Sequence, residues 1–287
     1  MPRATVIVRA RDKEATIEAT LRSVRDQTVD VELIVVDSGS RDGTLEIARR
    51  WADRVIEIPS HEFSYGHALN VGAAEATSPF HFALSAHCVP PTAAWIETSI
   101  AHYACSSVAA TCGAPETPDF QPLLRPFVQT ADTVLTNPYW GYSNHAGSWR
   151  AEVWQTDQFD EQMDAAEDKE WAQRVLSHGW VIMFDPELTV PTGHRRSAGI
   201  RPLYGRVKRE SRAVWVYSSP EHPFTAARAI SYWWSEFPSG SSRPRFIRRF
   251  SPHRMAEIGG RWAGEREGRR NRALAKATGQ ARPPSGR

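Results

Sequence analysis

The side chain best placed to do chemistry is a carboxylate on the apolar face of a predicted helix. This helix extends from about residue 165 to 178, and Gly179 follows it in the position of a left-handed cap. Asp168 shares its face with four apolar residues, Trp171, Ala172, Val175 and Leu176. The spacing predicts that three charged residues point elsewhere, namely Glu167, Glu170 and Arg174. An inward carboxylate is expected to be paired or functional, so Asp168 is either a general base or the partner of an arginine.

Polar and charged residues also stand where predicted strands end. Arg9 and Arg11 lie at and just past the end of the first strand, Asp37 ends the second, and Ser85 follows the fourth. In open α/β sheets, ligands bind in the crevice beyond the carboxyl ends of the strands. These positions are therefore predicted to border one binding site.

The elements that must position these residues follow an alternating pattern from residue 4 to about 110. Short β-branched runs predict strands at 5–8, 33–36, 55–58 and 80–84. Between them, apolar spacing predicts helices at 13–26, from about 42, and at 67–76. The alternation is typical of the α/β class, with a mostly parallel sheet flanked by helices.

The composition narrows the class of protein. Of the 287 residues, 41% are hydrophobic and 24% are charged, which fits a soluble chain able to bury a core. No apolar stretch approaches the roughly 18 residues that a bilayer requires, so a spanning helix and a secretory signal are disfavoured. Cys88, Cys105 and Cys112 form no CxxC pattern, which argues against a disulfide framework or zinc cluster and indicates a reducing cytoplasm.

Three segments carry a family resemblance. Residues 36–44, VDSGSRDGT, resemble the VDSGSxDGT segment of family 2 glycosyltransferases with the GT-A fold. Residues 63–70, FSYGHALN, are similar to the FNHGRxRN stretch of the rhamnosyltransferase-like branch. Residues 167–174 match the ED-x-E-W…R element of the family. The resemblance covers roughly residues 4–196. Dehydrogenases and P-loop enzymes are disfavoured, because neither GxGxxG after the first strand nor GxxxxGK[ST] occurs.

The resemblance implies transfer of a sugar, with inversion, from a nucleoside-diphosphate sugar to an acceptor hydroxyl. Asp168 is then the general base, and Glu167 is a neighbouring acceptor or a donor-sugar contact. Asp37 is expected to accept from a pyrimidine N–H, and Arg9 and Arg11 to meet the base or the phosphates. The alternative is that Asp37 caps a turn and the arginines are surface charges. The other predicted donor contacts are Glu14, Ser38, Asn70, Ser85, Ala86 and His87.

The sequence departs from the family at the metal site. Ser85-Ala86-His87 replaces the metal-binding Asp-x-Asp, and His194 stands where the family often has a late metal-binding histidine. His87 and His194 could hold Mn²⁺, whereas Mg²⁺ prefers oxygen ligands. In the alternative, no metal is used and a charged His87, with Arg195 and Arg196, supplies the positive charge. Because both Asp-x-Asp carboxylates are missing, a second alternative is that the protein is a noncatalytic module that binds a nucleotide sugar or a partner.

An aromatic loop is predicted to border the acceptor. The resemblance implies that this acceptor is a glycan, a lipid-linked sugar or a small natural product. The loop contains Tyr139, Trp140 and Tyr142, and aromatic faces suit stacking on sugars. Trp140 and Asn144 are the predicted acceptor contacts, with packing in the core as the alternative for the aromatic cluster.

The C-terminal part has a different charge. Residues 193–287 carry 21 Lys and Arg against 6 Asp and Glu, which leaves the preceding part acidic. We predict a catalytic domain at 1–196 (nucleotide-sugar half about 1–115, acceptor half about 116–196), a basic helical region at 197–276 and a disordered tail at 277–287. Aromatic residues and arginines interleave over residues 232–262, which suits an anionic membrane surface at the inner face of the cell membrane. The alternatives are packing on the catalytic domain and, less favoured for want of a recognition motif, nucleic acid.

Overall fold

The computed structural model describes residues 2–114, 121–136, 140–191, 199–218, 224, 230 and 251–278. The chain divides into two compact units. The first contains the described residues up to Gln162 together with Glu167–Pro191, and the second contains residues 163–166 together with the described residues after Pro191.

The first unit is built on one eight-stranded sheet. Its strands are β1 (Ala4–Ala10), β2 (Val31–Asp37), β3 (Arg54–Glu57), β4 (Phe80–Ser85), β5 (Val108–Cys112), β6 (Phe127–Gln129), β7 (Ala146–Arg150) and β8 (Val181–Phe184). Its helices are α1 (Glu14–Arg25), α2 (Thr44–Trp51), α3 (Tyr65–Ala74), α4 (Trp95–His102), α5 (Ala131–Thr136), α6 (Ala151–Thr156) and α7 (Glu167–Ser177), and a 3₁₀ turn covers Pro186–Leu188. The strand order is β3-β2-β1-β4-β7-β5-β8-β6.

The predicted α/β class is confirmed. The adjacent strands β3, β2, β1 and β4 run parallel to one another, and β5 and β8 are parallel to each other. Val8 of β1 packs in a core with Ile17 and Leu21 of α1, whereas Ile7 belongs to a second core with Leu69 of α3. Because successive side chains of a strand point to opposite faces, the β-branched runs bury both faces of the sheet under helices.

Strand β7 places a distant loop beside the ends of β1 and β4. It pairs antiparallel with both β4 and β5, with Ala146 opposite Leu84. Since Arg9 is opposite Ser85 in the β1–β4 pair, the residues just before β7 arrive at the carboxyl ends of these two strands. The local sequence pattern of β7 does not reveal this pairing.

The second unit contains a pair of helices, α8 (Ile200–Tyr217) and α9 (Pro252–Ala277). Three glycines of α9 face the backbone of α8: a Cβ atom would lie 2.8 Å from the Tyr204 oxygen at Gly260, 2.2 Å from the Lys208 oxygen at Gly264, and 2.8 Å from the Arg212 oxygen at Gly268. The contact positions rise together along both helices, so the helices run parallel. The predicted basic helical extension is confirmed, while residues 279–287 and the aromatic stretch at 232–250 lie outside the described residues.

Within the part of the chain that the structure describes, we find no helix with the length and hydropathy needed to cross a membrane.

His81 makes the stability of the fold sensitive to acid. Its ring is 2% exposed in β4 and packs edge-on against Trp149, with 5.8 Å between the ring centroids. Burial lowers the pKa of His81 from 6.5 to about 4. The folded chain therefore keeps this ring neutral where the unfolded chain protonates it, and stability is lost as the pH falls below the unfolded value.

We expect the free energy of unfolding of the parent to fall, from pH 6.5 to pH 5, by about 2 kcal/mol more than that of a His81→Phe variant. The substitution keeps an aromatic ring and removes the titrating group. Urea unfolding at the two pH values measures the difference. Parallel pH dependence of parent and variant would show that His81 does not contribute.

Candidate active site

Asp168 lies at the start of α7 and is held by two backbone donors. Its Oδ2 atom accepts the N–H of Asn144 at 3.2 Å, and its Oδ1 atom accepts the N–H of Lys169 at 2.8 Å. The Lys169 ammonium is 3.9 Å from Oδ2 and donates to the carbonyl oxygens of Gly141 and Tyr142. The Asp168 side chain is 16% exposed. Among the described residues its ionic partner is therefore a lysine and not an arginine, and the carboxylate is oriented but still open to solvent.

Glu167 is more deeply buried than Asp168, with 7% of its side chain exposed. Its Oε1 atom is 3.7 Å from Arg9 NH1 and accepts a long hydrogen bond of 3.5 Å from Asn144 Nδ2. Burial, with the nearby Asp168 charge, raises the pKa of Glu167 to about 7, and Arg9 opposes the shift. The prediction that Glu167 points away from the apolar face is wrong.

The same prediction is wrong for Glu170, which is 1% exposed. Its carboxylate accepts two hydrogen bonds from Arg174, at 2.9 and 3.0 Å, and Arg174 also donates to Asp157 at 3.1 Å. This pairing lets α7 bury charged residues beside Trp171. The spacing of apolar residues does not predict a buried face that contains paired charges, because it depends on residue types and not on which residues pair.

At the end of β2, Asp37 organises the turn that follows. Its side chain is fully buried, and its Oδ1 atom accepts the N–H groups of Gly39 at 2.9 Å and Ser40 at 2.8 Å. The hydroxyl of Ser40 donates to Oδ2, and Gly39 supplies a left-handed φ of 85°. Ser38 is also buried and donates to the carbonyl oxygen of Ala10 at 3.2 Å. These contacts match the alternative in which Asp37 caps a turn.

The loops after β1 and β2 are fastened to each other. The N–H of Asp12 donates to Ser40 Oγ at 2.9 Å, and the Asp12 carboxylate accepts the N–H of Arg41 at 2.8 Å. In the same way, the N–H of Glu14 donates to Asp42 at 3.1 Å, while Glu14 accepts the N–H of Gly43 at 3.1 Å. We call these four hydrogen bonds the loop brace. Glu14 thus has a structural role in the described contacts, whereas the neighbouring Arg11 is exposed.

Asn70 uses all its hydrogen-bonding groups inside the fold. Its Nδ2 group donates to Phe159 O and Glu161 Oε1, both at 2.9 Å. Its Oδ1 atom accepts from Trp154 Nε1 at 3.0 Å and from the N–H of Phe159 at 3.1 Å. An amide side chain has two N–H donors and two lone pairs, so none remains for a donor sugar in this arrangement.

The residues at the end of β4 do not fit a divalent-metal site. Ser85 and Ala86 offer no carboxylate, and His87, which is half-buried, offers one imidazole. No group of three or more His, Cys, Asp or Glu side chains within the described ranges could hold an ion. The predicted partner His194, like Arg195 and Arg196, lies outside the described residues.

The predicted acceptor contacts pack against the protein. Trp140 is half-buried, with its ring centroid 4.3 Å from that of Phe184 and 5.5 Å from that of Phe127. Asn144 is 1% exposed and lies between Arg9 and the carboxylates of α7. Tyr142 is fully buried, and Tyr139 lies outside the described residues. Trp140 and Tyr142 therefore match the alternative in which the aromatic cluster packs in the core.

Two residues near the carboxylates were not predicted. His145 is opposite the end of β4, where its carbonyl oxygen accepts the N–H of Ser85 at 2.9 Å. Burial, followed by the Lys169 charge, lowers the pKa of its ring. Tyr65, 44% exposed at the start of α3, lies under the Arg9 guanidinium. Tyr65 could have been noticed within the 63–70 segment, whereas the position of His145 depends on the β4–β7 pairing.

Glu167 provides a pH test of this cluster. Its raised pKa means that its contribution to stability is complete below pH 4.5 and is lost as the pH rises through about 7. From pH 4.5 to pH 6.5 we expect the free energy of unfolding of the parent to fall by about 2 kcal/mol relative to that of Glu167→Gln. Urea unfolding across this range measures it, with Glu57→Gln, an exposed glutamate, as the control. A constant difference between parent and Glu167→Gln would contradict the assignment.

Comparisons with known proteins identify a family for the chain and solved structures that share its fold. The model of glycosyl transferase family 2 matches residues 5–170. Among solved structures, the chain resembles the mannosyltransferase PcManGT from Pyrobaculum calidifontis, in complex with GDP-Man and Mn²⁺, with a TM-score of 0.59 and 20% identity over 96% of this chain and 75% of that one. It also resembles residues 1–349 of S. aureus TarS in complex with UDP-GlcNAc, with a TM-score of 0.57 and 14% identity over 97% of this chain and 92% of that one. It spans 35% of a longer TarS chain. No curated protein sequence matches significantly.

Proposed function

This chain belongs to glycosyl transferase family 2, and from that premise we propose that it transfers a sugar from a nucleoside-diphosphate sugar to an acceptor hydroxyl with inversion. The observation that carries the proposal is the Asp168 carboxylate, which two backbone N–H groups orient and solvent still reaches. The GDP-Man and UDP-GlcNAc complexes of the two structural neighbours support the donor class.

In the proposed reaction, Asp168 acts as the general base. The acceptor oxygen attacks the anomeric carbon from the face opposite the diphosphate, and a C–O bond forms as the bond between that carbon and the diphosphate oxygen breaks. The acceptor proton passes to the Asp168 carboxylate, and the nucleoside diphosphate leaves with the bonding electron pair. The backbone donors on Asp168 leave lone pairs on both oxygens for this proton.

The departing diphosphate carries developing negative charge that must be stabilised. Because the described residues do not fit a metal site, we derive no step through a metal. We propose that side-chain cations, among them His87 in its charged form, supply this stabilisation. The Mn²⁺ of the PcManGT complex and the family position of His194 support the other account, in which a divalent ion takes part.

A panel of nucleotide sugars incubated with the full chain and candidate acceptors tests the function. We expect nucleoside diphosphate to be released and a glycosylated product to form with one donor class. Tight nucleotide binding without turnover of any donor would instead support the noncatalytic module. The same assay in chelator separates the two accounts of the leaving group: continued turnover supports side-chain cations, whereas loss in chelator and recovery with Mn²⁺ would show a metal site that includes residues outside the described ranges.

For the acceptor side, we propose a glycan, a lipid-linked sugar or a small natural product, and docking of the basic second unit on an anionic membrane surface. Arg266 and Arg270 are exposed on α9, and Trp262 is 41% exposed with Arg266 over its ring at 5.6 Å. An aromatic ring beside arginines suits a headgroup layer. In flotation at low salt we expect binding to phosphatidylserine vesicles and none to phosphatidylcholine vesicles. Absence of a bound fraction on both would exclude the docking.

A further inference from the structure

Arg9, at the end of β1, connects three other parts of the candidate site. Its NH2 group donates to the carbonyl oxygen of Asn144 at 2.6 Å, and its NH1 group is 3.7 Å from Glu167 Oε1. Its Cζ atom lies 5.4 Å from the centroid of the Tyr65 ring. Only 10% of the side chain is exposed. The guanidinium is therefore held by protein groups on three sides.

Asn144 links Arg9 to Asp168 through its backbone. The carbonyl oxygen of Asn144 accepts from Arg9, and the N–H of the same residue donates to Asp168 Oδ2 at 3.2 Å. Fixing this carbonyl restricts the backbone torsions that aim the N–H. A displaced Asn144 would let the carboxylate turn, and small displacements of a reacting group carry large kinetic costs.

Glu167 links Arg9 to Asp168 through charge. Glu167 is adjacent to Asp168 in sequence and buried, and Arg9 is the cation beside it. The Arg9 charge lowers the pKa of Glu167, against the raising effects of burial and of Asp168. Without Arg9, the two neighbouring carboxylates would lose their counter-charge on the β1 side.

We infer that Arg9 is a positioning residue for Asp168, acting through the Asn144 backbone and the Glu167 carboxylate. The inference rests on the proposed function, in which Asp168 is the base. It differs from the sequence-based prediction, which made Arg9 a contact of the donor. The donor role is the rival, since Arg9 Nε and NH1 are buried and have no hydrogen-bond partner among the described residues.

A double-mutant cycle on the full chain separates the two roles. The variants are Arg9→Gln, Asp168→Asn and their combination, with kcat, the donor KM and the calorimetric affinity for the nucleoside diphosphate measured for each. For Arg9→Gln we expect kcat to fall by about 10²-fold, with KM and affinity within about threefold of the parent. In the Asp168→Asn background the same substitution should add less than about threefold, because the group on which Arg9 acts is already gone.

Two results would overturn the inference. Parent-like kcat with a raised KM and weakened nucleotide affinity would make Arg9 a donor ligand. An equal loss of kcat in both backgrounds would show that Arg9 acts independently of Asp168. The exposed Arg50→Gln on α2 is the control and should keep parent kinetics.

Folding and the base assignment are checked separately. Thermal unfolding shows whether Arg9→Gln is folded. If Arg9→Gln is not folded, Arg9→Lys, which keeps the charge but not the planar set of donors, replaces it in the same cycle. Asp168→Asn with parent activity would contradict the proposed base itself. If Asp168→Asn is inactive but Arg9→Gln raises the donor KM without lowering kcat, only the inference about Arg9 is contradicted.

Discussion

Replacing Asp168 by asparagine is expected to lower kcat by about 10²–10⁴-fold, the range that general-base catalysis contributes. The amide is nearly isosteric and keeps an oxygen for one of the two backbone donors, but it cannot take the acceptor proton. The Asp168 side chain is partly exposed, and Lys169, which loses its ionic partner, still donates to two carbonyl oxygens, so the fold should persist. The donor KM should change little, because the lost interaction is made in the transition state.

Steady-state kinetics with saturating donor and acceptor measure this effect, and the unfolding midpoint verifies the fold. Asp30→Asn, an exposed aspartate before β2, is the matched control and should keep the parent rate. A variant of Asp168 with parent kcat would remove the proposed base and leave Glu167 as the carboxylate to test next.

In the second unit, Gly264→Val is expected to destabilise the α8–α9 pair by about 3 kcal/mol or more. A Cβ at this position would lie 2.2 Å from the carbonyl oxygen of Lys208 and 2.9 Å from Ser211 Cβ. The first of these neighbours is backbone, so the helices must separate to accommodate the side chain. Urea unfolding of the full chain, followed by circular dichroism, measures the loss.

Gly259→Ala provides the matched control in the same helix. A Cβ there would meet the Tyr204 ring at 3.5 Å, an ordinary contact. Because alanine favours a helix more than glycine does, this variant should gain about 0.5–1 kcal/mol. Destabilisation of both variants by similar amounts would show that α9 tolerates no side chain at either position, and that the close approach of the backbones at Gly264 does not determine the effect.

Much of the first unit could be predicted from residue periodicity. The buried strands β1, β2 and β4 and the apolar spacing of α1 are local signals, and Gly179 has the left-handed φ of 89° expected after α7. The glycine spacing at 260, 264 and 268 was also visible, and it could have indicated a close helix contact. The spacing alone does not identify the partner helix, since that depends on a segment about 50 residues earlier in the chain.

The candidate site could be predicted only in part. The role of Asp168 stays a prediction. Glu167 and Glu170 are buried, against the expectation from apolar spacing, because each is paired with a cation: Glu167 with Arg9, which is distant in sequence, and Glu170 with Arg174, one turn later in α7. Asn144 reaches Arg9 and Asp168 only because β7 inserts antiparallel between β4 and β5. A pairing of this kind is set by the whole sheet, and the residue pattern of a five-residue strand does not encode it.

The loop brace has a thermodynamic consequence for any ligand at this edge of the sheet. Its hydrogen bonds join residues 28 or 29 positions apart in the chain, so both loops are immobilised when the polypeptide folds. A molecule that arrives later need not restrict these backbones a second time. Association should therefore show a small unfavourable entropy and a heat-capacity change no larger than its own apolar contact requires.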